Sequence, residues 1–161
     1  MARYTDYVKR ILTLTGTAPA QLDADTKSVI DLETRIAQAS KPLTSFRDPR
    51  ANYAPMAASA LAKQYKRLQM GDFLKAQGVA NDTVSLANPQ LFAQIDNLVG
   101  SLPPAQWKAY LRFQVGNAMA PYLSKPFRDA EFDFRGRLLR GENAPEPRWK
   151  DVLDAINTAA G

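Results

Sequence analysis

The sequence predicts an all-α chain: a single irregular domain of about seven or eight helices, with one short extended segment near residues 83–86. Three observations carry this. Apolar residues recur at intervals of three and four along most of the chain, the spacing of one helix face. Pro or Gly stands at most of the junctions between these stretches. The only β-like run, Thr83-Val84-Ser85-Leu86, is too short to make a sheet alone.

The first helix is read at about Thr5 to Leu14, with Tyr4, Val8, Ile11 and Leu12 on one face and Gly16 as its stop. The second runs from about Ala20 to Ser40, with Leu22, Val29, Leu32 and Ile36 inward. Lys41-Pro42 ends it, because the residue before a proline is pushed out of helical geometry. Pro42 to Pro55 is an irregular link. Phe46 and Tyr53 in it suggest an ordered strap anchored by aromatics. A third helix follows at about Met56 to Arg67, and a short one near Asp72 to Gln77, with Asp72 as N-cap and Gly78 as stop.

Asn88-Pro89 has the form of an N-cap followed by proline at the first helical position. The helix it opens carries Leu91, Phe92, Ile95 and Leu98, and Gly100 is read as its end. Pro103-Pro104 starts a helix with Trp107, Tyr110, Leu111 and Val115, which Pro121 kinks or ends. Ser124 can cap a helix from Pro126 to about Arg140, stopped at Gly141. Pro147 starts the last helix, with Trp149, Val152, Leu153 and Ile156 inward.

A chain of 161 residues suits one domain. It buries roughly 70% of its unfolded surface, enough for a core without staples. No stretch approaches the ~20 apolar residues of a membrane span. The net charge of +5 and pI near 9.6 raise nucleic-acid binding as a class. The basic residues, however, are spread and stand four residues from acids, as in Lys27 and Asp31, Glu131 and Arg135, or Lys150 and Asp154. Such pairs describe solvated helix faces. The one dense basic run is Arg135-Gly136-Arg137-Leu138-Leu139-Arg140. No nucleic-acid partner is expected.

The chain has no His and no Cys. That excludes Ser-His-Asp and Cys-His catalysis, and the two imidazoles of an HExxH zinc site, within this chain. No Gly-rich phosphate loop follows a strand. Asp129, Glu131 and Asp133 resemble the start of a calcium loop, but Phe134 occupies the position that needs glycine for the sharp turn. They are read as helix-surface acids instead. Asn81-Asp82-Thr83 is a glycosylation sequon by pattern only. Trp107, Tyr110, Phe113, Phe127, Phe132, Phe134 and Trp149 could line a ligand site, but their helical spacing favours core packing.

Four blocks, in order, resemble one known family. The first is Tyr7-Val8 and its apolar helix, then Leu32-Glu33 and Ile36-Ala37. The second is Arg47-Asp48-Pro49 with Tyr53 and Met56, where the family usually continues with Thr and this chain has Ala57. The third is Leu102-Pro103 with Trp107 and Tyr110-Leu111. The fourth runs from Tyr122-Leu123-Ser124 through Phe132-Asp133-Phe134 to Leu138, Gly141 and Pro147-Arg148-Trp149. Together they are similar to the non-catalytic N-terminal region of the neprilysin and endothelin-converting-enzyme family of zinc metallopeptidases, in its bacterial type.

The resemblance implies a two-lobed peptidase. A catalytic lobe carries HExxH and one zinc ion, and a smaller helical lobe faces it across a closed chamber and limits substrate size. This chain corresponds to most of the helical lobe. It matches none of the family's zinc ligands, its general-base Glu, its substrate-binding Asn-Ala pair or its later catalytic His. The implied site set is therefore empty: no catalytic, cofactor-binding or metal residue, and no cofactor in this chain. The implied partners are the catalytic lobe of the parent and the peptides it cleaves. The chain alone is expected to be inactive, and the parent to be periplasmic or secreted. The start and stop suggest a piece excised from a longer protein, with an orphan gene as the alternative. A functional alternative is a stand-alone helical module that binds a protein or an acidic polymer.

Overall fold

Helix α1, Ala2–Leu14, shows how local sequence builds this chain. Tyr7, Val8, Ile11 and Leu12 form a single buried stripe one turn apart. Gly16 then takes a left-handed φ of 86°, which lets Gly16 N–H donate to Thr13 O and Thr17 N–H to Leu12 O, a paired closure of the last turn. The computed structural model describes residues 2–160. Their helices follow as α2 (Pro19–Ala39), α3 (Pro49–Asn52), α4 (Ala58–Gln64), α5 (Met70–Ala76), α6 (Pro89–Ser101), α7 (Pro104–Met119), α8 (Lys125–Glu131) and α9 (Arg148–Ala160). Two three-residue strands, β1 (Pro55–Ala57) and β2 (Thr83–Ser85), are the only strands among the described residues. The all-α expectation holds.

The described residues fall into two compact units. One takes the chain up to Ile30 and from Ala105 onward, the other Asp31–Pro104. Helix α2 begins in the first and ends in the second. Its buried residues include Val29 and Leu32, from the stripe read in the sequence.

In the first unit, Tyr7, Val8, Ile11, Leu12, Val29, Phe113, Ala120 and Ala130 make the core, with Tyr4, Phe127 and Phe134 packed against it. Phe113 meets Tyr4 and Tyr7 edge-on, with ring centroids 6.3 and 6.2 Å away. Helix α8 passes without a break into a wider π-helical stretch, Phe132–Arg140, in which each N–H reaches back five residues rather than four. The sequence reading has one α-helix over 126–140. It misses this change because hydrogen-bond register leaves no periodic mark over so few residues. Ser124 occupies the cap position of α8 but makes no side-chain cap bond, and its carbonyl accepts from the N–H groups of Phe127 and Arg128 instead. Gly141 ends the segment at φ 71°, as its sequence position suggests.

Helix α9 departs most from expectation. Trp149, Val152, Leu153 and Ile156 do not face inward; they are 64%, 44%, 48% and 56% exposed. Their spacing marks an apolar face correctly, but spacing does not say what covers it.

The second unit is built around Leu61, Tyr65 and Leu86, with Met56, Leu68, Leu74, Val84 and Phe92 against them. β1 and β2 pair antiparallel, with Met56 opposite Val84. The expected helical start at Met56 is thus a strand, because a partner some 28 residues on supplies a ladder that local pattern cannot reveal. Ala58 N–H donates to Asp82 O and Leu86 N–H to Ala54 O at the two ends of the pair. The strap before it is ordered, but not by its aromatics, since Phe46 and Tyr53 are exposed. Polar bonds hold it. Asp48 Oδ1 accepts from Arg50 N and Ala51 N, and Asn52 Nδ2 donates to Ser45 O and Asp48 O.

Two further readings change. Helix α5 is preceded by Gln69 in the left-handed region (φ 49°), and Asp72 lies inside its first turn rather than at its cap. Gly100 sits within α6 rather than ending it. The flexible Arg67 side chain lies over it. Asn88 caps α6 as expected, its Oδ1 accepting from Leu91 N at 3.3 Å.

Gly116 sets the approach of α7 to α1. A Cβ there would lie 2.7 Å from Thr15 Cγ2 and 2.9 Å from Ile11 Cγ2. Ile11 is fully buried and has no room to yield. Gly116→Val is expected to destabilise the chain by about 1–3 kcal/mol through overpacking, despite the better helix propensity of valine. A urea melt followed by far-UV circular dichroism checks this, and an unchanged midpoint would refute the tight contact.

Candidate functional site

A cleft in the first unit lies between α1 and the α8–π segment, with a volume of about 290 Å³. Helix α1 contributes Arg3, Asp6, Tyr7 and Arg10, which share one face by their spacing. The opposite wall is Ala130, Asp133, Phe134 and Leu138. Phe134 stacks on Tyr7 at 4.6 Å with a 10° interplanar angle, forming an aromatic floor. Arg10 Nη1 donates to Asp133 Oδ2 at 2.7 Å across the cleft, and Arg137 Nη1 donates to Asp133 Oδ1 at 2.6 Å.

Beneath the floor, Tyr7 Oη donates to Asn117 Oδ1 at 2.7 Å, and Arg135 Nη2 donates to the same oxygen at 3.1 Å. Burial raises the Tyr7 phenol above its ordinary value, with the Glu131 carboxylate adding to the rise and Arg135 opposing it. It stays a neutral donor across physiological pH. No imidazole or thiol accompanies it, because the chain has neither. The cleft therefore holds packed aromatics closed by ion pairs, without a nucleophile–base couple.

The three acids singled out in the sequence do not converge on a ligand. Asp129 accepts from Lys125 Nζ at 2.7 Å, Asp133 is held by two arginines, and Glu131 lies on a separate pocket wall with Arg140 and Glu142. Among the described residues, no three carboxylates or other ligating groups gather closely enough to hold a metal ion. The helical-surface pairs also differ from those read by spacing: Asp31 pairs with Arg35, and Lys150 with Glu146.

The aromatic set divides. Phe113 and Phe132 are buried, and Phe127, Phe134 and Tyr110 pack against the core. Trp107 meets Tyr110 edge-on at 6.0 Å. Trp149 is largely exposed, with Lys150 Nζ 5.9 Å from its ring centroid. Among the described residues, no helix is long and apolar enough to cross a membrane.

Two exposed pairs carry a pH signature. The hydrogen bond from Lys125 holds the Asp129 carboxyl below its ordinary 3.8, and that from Arg140 holds Glu142 below its ordinary 4.5. Both stay ionised in the folded chain at a pH where the unfolded chain takes up protons. Their contribution is complete above those ordinary values and fades as pH falls through the lowered ones. A carboxyl-carbon NMR titration should place both midpoints below the ordinary values, and added salt should shrink the displacement.

The model of the N-terminal part of Peptidase family M13 matches residues 1–161. The chain is 25% identical over 170 residues to Neprilysin-3 of Drosophila melanogaster, across 98% of this chain and 22% of that protein. It is 22% identical over 174 residues to an endothelin-converting enzyme homolog of Locusta migratoria, across 100% of this chain and 24% of that protein. Its fold matches the Mycobacterium tuberculosis zinc metalloprotease Zmp1 in the open state, with a TM-score of 0.90 at 22% identity, over 99% of this chain and 25% of Zmp1. The inhibitor complex of Zmp1 gives 0.85 at 20% identity. The chain thus spans about a quarter of the length of the relatives it matches. A family model that matches every residue leads to one conclusion: this chain belongs to peptidase family M13 and corresponds to its N-terminal part.

Proposed function

We propose that this chain is the non-catalytic helical lobe of a zinc metalloendopeptidase that cleaves short peptides. The observation that carries the reading is the match of the family's N-terminal model along all 161 residues of a chain without His or Cys. Imidazole ligands for zinc, and the HExxH glutamate that would act as base beside them, must then come from a separate catalytic lobe, the partner of this one. That lobe would bind one zinc ion. When bound there, zinc would supply Lewis-acid chemistry for peptide hydrolysis, while this chain's residues would contribute walls and electrostatics rather than bonds to the reacting atoms.

The role of the lobe is steric. It walls a chamber and admits only peptides short and flexible enough to enter. Basic residues that face the chamber would draw the acidic ends of peptides inward.

The chain alone should show no zinc-dependent hydrolysis of a quenched fluorescent peptide. Such hydrolysis by the purified chain, abolished by chelator and restored by zinc, would sink the reading. In the parent, an HExxH segment should follow in the same frame. A parent in which widening the lobe's chamber wall leaves the length cutoff for peptides unchanged would refute the steric role.

A further inference from the structure

The cleft between α1 and the π-helical stretch joins an apolar wall to a pair of guanidinium groups. Phe134, stacked on Tyr7, makes the wall, with the partly exposed Leu138 beside it. Arg3 and Arg10 border it from one face of α1, two turns apart. Arg10 Nη1 is engaged by Asp133 Oδ2, but that carboxylate also holds Arg137 Nη1 through its other oxygen. Arg10 and Asp133 are 44% and 40% exposed along their side chains, so water screens the pair and it opens at little cost. Asp133 keeps a counter-charge when Arg10 turns away. Counting Arg137, three guanidinium groups face two carboxylates, Asp6 and Asp133. The nearby Asp129 has Lys125 as its own partner and leaves that surplus unchanged. The cleft, about 290 Å³, lies at the small end of ligand sites, and all of it belongs to one unit.

We propose that this cleft binds a small monocarboxylate that carries an apolar ring. The carboxylate takes the Arg10 guanidinium as a two-pronged partner, and Arg3 adds attraction. Arg137 stays on Asp133, and the ring lies against Phe134 and Leu138. One surplus positive charge matches one carboxylate. A phosphate monoester would bring a second negative charge toward Asp6 and Asp133 and is disfavoured. A free aryl acid and the C-terminal phenylalanine of a peptide share the required chemistry. The site is complete within this chain, so it stands or falls apart from the peptidase reading.

The probe is phenylpropionate, followed by amide NMR of the chain. Saturable shifts should appear in α1 and at residues 133–138, with a Kd on the order of a millimolar, ordinary for about eleven heavy atoms. Phenylpropanol, which lacks the charge, and acetate, which lacks the ring, should each bind at least roughly tenfold more weakly. Arg10→Gln should weaken binding about tenfold, and Arg10→Lys about threefold, because an ammonium keeps the charge but not the fork. Asp133→Asn should tighten binding about threefold by releasing Arg10, a direction that a merely structural role would not produce. Arg35→Gln, in the other unit, is the control and should change nothing. Circular dichroism checks the fold of each variant. Should the Arg10 variants fail to fold, Arg3→Gln at the exposed start of α1 carries the test, with an expected loss of about twofold. N-acetyl-alanyl-phenylalanine distinguishes the sources: tighter binding than phenylpropionate assigns a peptide end, and weaker binding a free acid. The proposal is overturned if phenylpropionate at about 20 mM leaves the cleft amides unmoved. Equal binding of phenylpropanol, or weaker binding by Asp133→Asn, would overturn it as well.

Discussion

Phe113→Ala should lower the stability of the chain by about 3–5 kcal/mol, the range for removing a fully buried aromatic ring. Phe113 is 1% exposed and lies on α7 where that helix meets α1. Its ring is edge-on to both Tyr4 and Tyr7, and Tyr7 is in turn stacked on Phe134. Removing it takes away apolar burial and two quadrupole-matched contacts at once. The cavity cannot collapse easily, because Tyr7 is tied to Asn117 and Gly116 already brings α7 as close to Ile11 as side chains allow. The thermal midpoint should fall by on the order of 10 °C for a chain of this size. Phe113→Leu, which keeps much of the volume, should lose less than half as much. Equal losses for both variants would place the effect in ring chemistry rather than packing, and a loss under 1 kcal/mol would contradict the core as described.

The features legible in the sequence are those determined within one or two turns of chain. Gly16 and Gly141 end segments with left-handed backbone, Asn88-Pro89 opens α6, and the Val8–Ile11–Leu12 stripe is buried. Each depends on neighbours within about five residues. What was not legible depends on distant partners. β1 needs β2, and the cleft needs Arg10 beside Asp133, 123 residues away. The α1 half of that cleft did carry a signal, because Arg3, Asp6, Tyr7 and Arg10 repeat on one face. A polar face reads as solvated, though, and nothing local marks it as a wall. Trp149 and the α9 residues show the converse: periodicity reports that a face is apolar, never which surface covers it. The family match was legible because it rests on the order of several short blocks, each locally encoded, rather than on any contact between them.

Asp96→Ala is the second change with a large expected effect, and it acts in the other unit. Asp96 lies on α6 with its side chain only 10% exposed. Its Oδ1 accepts from Arg67 N at 2.8 Å and Leu68 N at 3.2 Å, and its Oδ2 accepts from Arg67 Nη1 at 3.2 Å. The two backbone donors open the tight turn Lys66–Leu68 that follows α4, so one carboxylate fastens that turn to α6. Those N–H groups have no partner within their own turn, as at any helix start. Alanine would strand both of them and remove the counter-charge of Arg67, at a cost of about 3 kcal/mol. The guanidinium itself contributes little to that sum. Arg67 is 55% exposed along its side chain and can return to water, so Arg67→Ala should cost no more than about 1 kcal/mol. Asp96→Asn separates the two parts: an amide oxygen can still accept from the backbone pair, while its NH2 group cannot accept from Arg67. The asparagine variant should therefore fall closer to Arg67→Ala than to Asp96→Ala. Urea melts rank the three, and hydrogen exchange at the Arg67 and Leu68 amides should accelerate only where the acceptor is gone. Equal losses for Asp96→Asn and Asp96→Ala would show that the ion pair, rather than the capture of the turn, is what holds α6 to the end of α4.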